Sequence, residues 1–160
     1  MNHRLVLAAL AAPLALVIGG AAAAAVTVTY AEADKMTDVP RFQSEREGME
    51  ADFREHLDTL AKQLAPGQDL TVEFLDIDLA GDVFPRVPVR DVRIMKGTAD
   101  WPRMHLRYQI ERDGKVLRSG ESRLADPNYQ MNINSYRNDM YAYEKRMLDA
   151  WFKKEILEQR

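Results

Sequence analysis

The chain contains no cysteine. That excludes a disulfide scaffold, thiolate metal sites, cysteine catalysis and a lipid-modified N-terminal cysteine, so packing alone must hold the fold. Histidine is nearly as scarce: beyond His3 there are only His56 and His105 to act as bases. Ser44, Ser119, Ser122 and Ser135 lack a G-x-S-x-G context, and no glycine-rich phosphate loop is present. Basic charge is short too, with 22 Lys and Arg against 25 Asp and Glu and a net charge of −3. Such a surface carries no electrostatic footprint for nucleic acid or anionic lipid. These absences point away from an enzyme and from nucleic-acid binding, and no motif asks for a cofactor.

What is present begins with a leader. Met1-Asn2-His3-Arg4 is a short positive start, Leu5–Ile18 is apolar apart from Pro13, and Gly19-Gly20 leads into Ala21–Ala25. That order describes a secretory signal peptide over residues 1–25, with cleavage after Ala25. A cut after Ala33 also fits the small-residue rule but would discard the first strand. The alternative is an uncleaved membrane anchor, since the run is about long enough to span a bilayer. Its second half is Ala and Gly, which contribute little transfer energy. The expected product is a periplasmic protein with no membrane contact after signal removal and an envelope protein as the candidate partner. At 160 residues, the chain leaves room for one domain over residues 26–160.

Val26-Thr27-Val28-Thr29-Tyr30 alternates as a strand, and Met36, Val39 and Phe42 should pin the polar loop that follows. Ser44 with Glu47 forms a capping-box pattern. Behind it Met49, Phe53, Leu57, Leu60, Ala61 and Leu64 make one apolar stripe, which Pro66-Gly67 ends. His56 sits beside that stripe, where a structural or solvated role is the commoner one.

Leu70–Pro85 is the longest strand-like stretch. Leu70, Val72 and Phe74 share one parity and Leu75, Ile77 and Leu79 the other, so a regular strand cannot bury both sets on one face. A β-bulge near Phe74-Leu75 resolves this and turns Asp76 and Asp78 outward together. The prolines of Val83–Val89 suit an exposed connection. Arg90–Lys96 reads as a short strand with Val92 and Ile94 inward, and Trp101 is expected over the sheet edge. Arg103–Arg112 alternates with Met104, Leu106, Tyr108 and Ile110 inward. Asp113-Gly114 is a hairpin signal. A glycine-bulge loop there would put Val116, Gly120, Ser122 and Leu124 of the return strand inside, leaving room for a helix at Gly120 and Ser122. Asp126-Pro127-Asn128-Tyr129 is turn chemistry. Asp139–Glu158 is the closing helix, with Met140, Tyr143, Met147, Leu148, Trp151, Phe152 and Ile156 on its apolar face and Glu144 among the polar residues covering the rest. The pattern predicts an α+β fold: a mixed, mainly antiparallel sheet of about five strands with two helices packed on one face.

Asp76, Asp78 and Asp82 form the densest acidic cluster. It resembles a calcium loop only superficially, because Val87 stands where an EF-hand has its bidentate Glu and because Ile77 and Leu79 lie between the acids. A solvated strand end is the plainer reading. A hydrolase or metal-dependent enzyme built on the three aspartates is the alternative function, and an acidic docking patch a third. His105, Arg107, Glu121 and Arg123 should form an exposed charged ladder, which is either a solvated face or a docking surface. Phe84, Trp101 and Tyr129 fall in loops, where they either rim a pocket or pin the loops to the body.

Several pieces in order carry a resemblance: Val26–Tyr30 with Thr37-Asp38, Asp76-Ile77-Asp78-Leu79-Ala80-Gly81, Asp91-Val92-Arg93-Ile94, Asp113–Leu117, and Tyr143–Arg146 through Trp151-Phe152. Together they resemble a family of secreted proteobacterial proteins classed as domain of unknown function 3016. The resemblance implies an exported, single-domain protein and assigns no activity, so it transfers no functional residue. The function expected is a non-catalytic binding or interaction module using the open face or an edge of its sheet.

Overall fold

Two kinds of connection decide how the strands are arranged. The structure is a computed structural model describing residues 24–84 and 92–159. Along them run β1 (Val26–Tyr30), a 3-10 turn at Ala33–Lys35, α1 (Gln43–Ala61), β2 (Gln68–Asp78), β3 (Asp82–Val83), β4 (Arg93–Ile94), β5 (Arg103–Arg112), β6 (Lys115–Ala125) and α2 (Ala142–Trp151), which widens into a π-helical segment at Phe152–Leu157. The stretch read as a leader, up to residue 23, and residues 85–91, where the prolines suit an exposed connection, lie outside the described residues.

The crossover through α1 makes β1 and β2 parallel, while the hairpin makes β5 and β6 antiparallel. β2 and β5 form the antiparallel centre, giving a four-stranded sheet in the order β1-β2-β5-β6. β3 and β4 make a separate two-stranded sheet. The α+β class and the mixed sheet are as the pattern predicts. The expected fifth strand lies not in the main sheet but in the small ribbon.

The bulge in β2 falls where the parity switch places it, with the register against β5 shifting between Phe74 and Asp76. Leu70, Val72 and Phe74 before it and Ile77 after it are all fully buried, with Leu79 close behind. Both helices cover this face: Phe53 and Leu57 of α1, and Leu148 and Trp151 of α2, join the same core cluster. Phe53 packs on Phe74 and on Tyr141, at centroid distances of 5.8 and 5.4 Å.

Five local expectations give way to tertiary context. The Ser44 capping box does not form: α1 starts at Gln43, with Phe42 as an N-cap that makes no side-chain cap bond. The Glu45 and Arg46 N–H groups instead donate to the Phe42 carbonyl, at 3.1 and 3.0 Å. In β4 the inward residue is Arg93, and Ile94 is exposed. The β5–β6 turn is a tight two-residue one, with Asp113 at φ 53° and Gly114 at φ 72°. A bulge at Leu117 then restores the inward set Gly120, Ser122 and Leu124 but leaves Val116 exposed, with Arg118 opposite Ile110. Arg118 spans to the closing helix, donating to the Ile156 and Gln159 carbonyls at 2.7 and 2.8 Å. That helix begins at Ala142, three residues later than the spacing suggests, so Met140 is 80 % exposed. Glu144, expected on the solvated side, is buried.

Gly120 lets two aromatic rings meet. A Cβ there would lie 2.8 Å from Cε1 of Tyr108. That ring is held edge-on by Trp151, whose indole N–H donates to the Ser122 hydroxyl at 3.1 Å. The room at Gly120 therefore serves a ring from the neighbouring strand, and Ser122 serves the helix. Gly120→Ala should cost about 1–3 kcal/mol by overpacking. In a double-mutant cycle by urea unfolding, most of that cost should disappear once Tyr108→Leu removes the ring.

Candidate functional site

The acidic strand end is taken apart by its neighbours. Asp76 accepts from the Thr37 N–H at 2.7 Å and the Thr37 hydroxyl at 2.8 Å. Asp78 pairs with Arg103 at 2.6 Å, and Asp82 pairs with Lys96. The three carboxylates thus look to three different partners on three different segments. No group of three or more His, Asp or Glu side chains among the described residues is placed to hold a metal ion.

Next to them lies a tighter assembly that the sequence hid. After the bulge, the Asp38 N–H donates to the Ile77 carbonyl at 2.9 Å and the Leu79 N–H to the Asp38 carbonyl at 3.2 Å. This ties the loop before α1 to the end of β2. Arg93 then inserts its guanidinium into the corner. It donates to the Leu79, Ala80 and Gly81 carbonyls at 3.1, 2.9 and 2.9 Å and pairs with the Asp38 carboxylate. Glu144 of α2 accepts the Ala80 N–H at 2.7 Å. Gly81 is required here: its φ is +76°, and a Cβ would lie 2.7 Å from the Ile94 carbonyl oxygen. Four of the segments that carry the family resemblance therefore meet at one point. Each guanidinium nitrogen of Arg93 has an acceptor, so the corner clasps backbone and offers no free reacting group.

The histidines are likewise occupied. His56 is buried, with Nε2 2.8 Å from Asp149 Oδ1 and 3.1 Å from the Lys145 carbonyl oxygen. Two acceptors on one ring nitrogen require that nitrogen to carry the proton. Tyr136 donates to the other Asp149 oxygen at 2.8 Å and stands edge-on to the imidazole; burial and that carboxylate push the phenol up to about 12. The cluster cross-braces α1 and α2, the structural role expected of His56.

The face of the sheet turned away from the helices is built differently. Its rows across β2, β5 and β6 run Thr71, Gln109, Ser119; then Glu73, Arg107, Glu121; then Asp76, His105, Arg123. Arg107 reaches Glu73 at 2.9 Å and Glu121 at 3.5 Å, while His105 reaches Glu121 at 2.6 Å. The hydrogen bond from His105 is the main influence holding the Glu121 carboxyl below its ordinary range. The charged ladder thus forms as the alternation predicts. The first two rows line a shallow groove of about 510 Å³. Among the loop aromatics, Tyr129 is buried, Trp101 lies under the Arg103 guanidinium at 4.6 Å, and Phe84 is exposed.

Burial is the largest influence on Glu144 and raises its pKa, partly opposed by the Ala80 N–H and by Arg93. A folded-state pKa above the unfolded one means the native state binds more protons, so stability falls as pH rises from about 4.5. Glu144→Gln keeps an acceptor for Ala80 without the charge. Its melting temperature should exceed that of the parent at about pH 8, and the gap should close at about pH 4.

No curated protein and no solved structure matches this chain. One family model does, over residues 24–154, and it spans the strands, both helices and every segment that meets at the Arg93 corner. The chain belongs to that family, described as protein of unknown function DUF3016.

Proposed function

We propose that this is an exported periplasmic protein that binds a partner, an envelope protein in the first instance, and catalyses no reaction. The observation that carries the reading is the asymmetry of the sheet. One face is sealed by two helices, while the other is open, polar and organised in rows of opposite charges along a groove. Polar rows of this kind suit recognition, because complementary charges set register and encounter more than raw affinity.

The position of β1 supports release after Ala25. All five of its residues pair in register with β2, so a cut after Ala33 would remove a whole strand. A cut after Ala25 keeps all five, at the loss of the Ala25 N–H bond to Asp69 and of the Ala25 carbonyl's bond from the Leu70 N–H, each at 2.9 Å.

Two measurements test the proposal. Mass spectrometry of protein recovered from the periplasm should find Val26 as the first residue; an intact Met1 would overturn export with cleavage. A photoreactive residue placed at Gln109 on the open face should give a discrete crosslinked species in the periplasm, and one at Asp58 on the outer side of α1 should not. Equal labelling from both positions would remove the open face as the binding surface.

A further inference from the structure

The two edges of the sheet are unequal. β1 offers five residues, whereas β6 offers eleven, and no backbone or side-chain group among the described residues bonds to the outer side of β6. An unpaired strand presents alternate N–H and C=O groups as a template for another chain. The bulge at Leu117 disrupts that template at the turn end, and the stretch from Arg118 to Ala125 pairs regularly with β5. Beside this regular half runs α2. Leu124, Ala125, Met147, Ala150 and Trp151 contribute to a groove of about 380 Å³ between strand and helix.

The charges around this groove are not equally committed. Glu121 is held by His105 and Arg107 on the open face, and Glu155 accepts from Gln159 at 2.8 Å. Arg123 has no ion-pair partner among the described residues, and Lys154, largely exposed, reaches only Glu155 at 3.6 Å. The uncommitted charge at the rim is therefore positive, above a floor where Leu124, Met147, Ala150 and Trp151 lie among polar side chains.

We propose that the Gly120–Ala125 edge of β6, with α2 beside it, is a docking groove for an extended acidic and apolar segment of a partner protein, bound by strand addition. The free main chain selects an extended occupant. The pleat then turns alternate side chains toward the helix, where Leu124, Met147, Ala150 and Trp151 take an apolar residue beside Lys154, and turns the others to the open face, where Arg123 takes an acidic one. The inference rests on the binding role proposed above and specifies where and what the protein binds.

The test uses fluorescent peptides of about eight residues alternating Val with Glu, Val with Lys, or Val with Ser, titrated into the purified chain. The Val-Glu peptide should bind about tenfold or more tighter than the other two. N-methylation at alternate residues should abolish its binding, and methylation at the residues between should not, because only every second amide faces β6. Ala150→Trp fills the groove from an exposed helix position; it should leave the melting temperature unchanged and remove binding. Failure of all three peptides, or indifference to methylation phase or to Ala150→Trp, would overturn the groove. Binding lost on Arg107→Glu but kept in Ala150→Trp would move the partner to the open face, overturning the edge while the binding role survives. A dimer in sedimentation that Ala150→Trp dissolves would give the edge to a second copy of the chain and equally overturn the peptide proposal.

Discussion

A single extra residue in the central strand governs the structure around it. At Leu75 two residues of β2 face one of β5, and the side-chain alternation changes phase. Before that point Leu70, Val72 and Phe74 face the helices; after it Ile77 and Leu79 do. Without the slip, one half of the strand would expose its apolar set, since a one-residue shift moves every side chain to the other face. The same slip sends Asp76 and Asp78 outward to Thr37 and Arg103. It also delivers the Leu79, Ala80 and Gly81 carbonyls to the place where Arg93 enters.

That entry is the second constraint. A guanidinium taken largely out of water is tolerable only when its charge and its donors are matched. Here Asp38 meets the charge, and three successive carbonyls accept the N–H groups. Glu144 holds the one N–H of that turn that points toward α2. The unit joins the loop before α1, the end of β2, Arg93 of β4 and the closing helix. No pair of these segments is adjacent in sequence, so the corner specifies how they are assembled more than it adds net stability.

Elements whose residues repeat at one period were legible in the sequence. β1 and β5 stand where alternation puts them, and the bulge could be read because two parities met inside one strand. The core stripe of α1 was legible for the same reason. The capping box at Ser44 misled because the Phe42 carbonyl supplied an earlier start. Ile94 and Arg93 exchanged roles because the acceptors that attract Arg93 come from Leu79–Gly81, which no local pattern around β4 can show. Glu144 left a clue: it lies one helical turn before Leu148 and about two before Trp151, on the buried side of α2. A carboxylate among Tyr143, Lys145 and Arg146 reads as solvated until the Ala80 amide is seen beside it. The family match covers residues 24–154 and names no chemistry, and four of the segments that carry the resemblance build the corner.

The two-residue turn at Asp113-Gly114 has a kinetic side. β5 and β6 meet across the shortest loop that a hairpin allows, with both turn residues already in the left-handed region such a turn requires. β1 must find β2 across a separation of 44 residues, as between Ala25 and Asp69. Closing a long loop costs entropy before any contact repays it, and parallel pairing of distant segments is correspondingly slow. Chain order and closing cost are thus opposed: β1 comes first in the chain, yet its pairing closes a far longer loop than the hairpin that follows later.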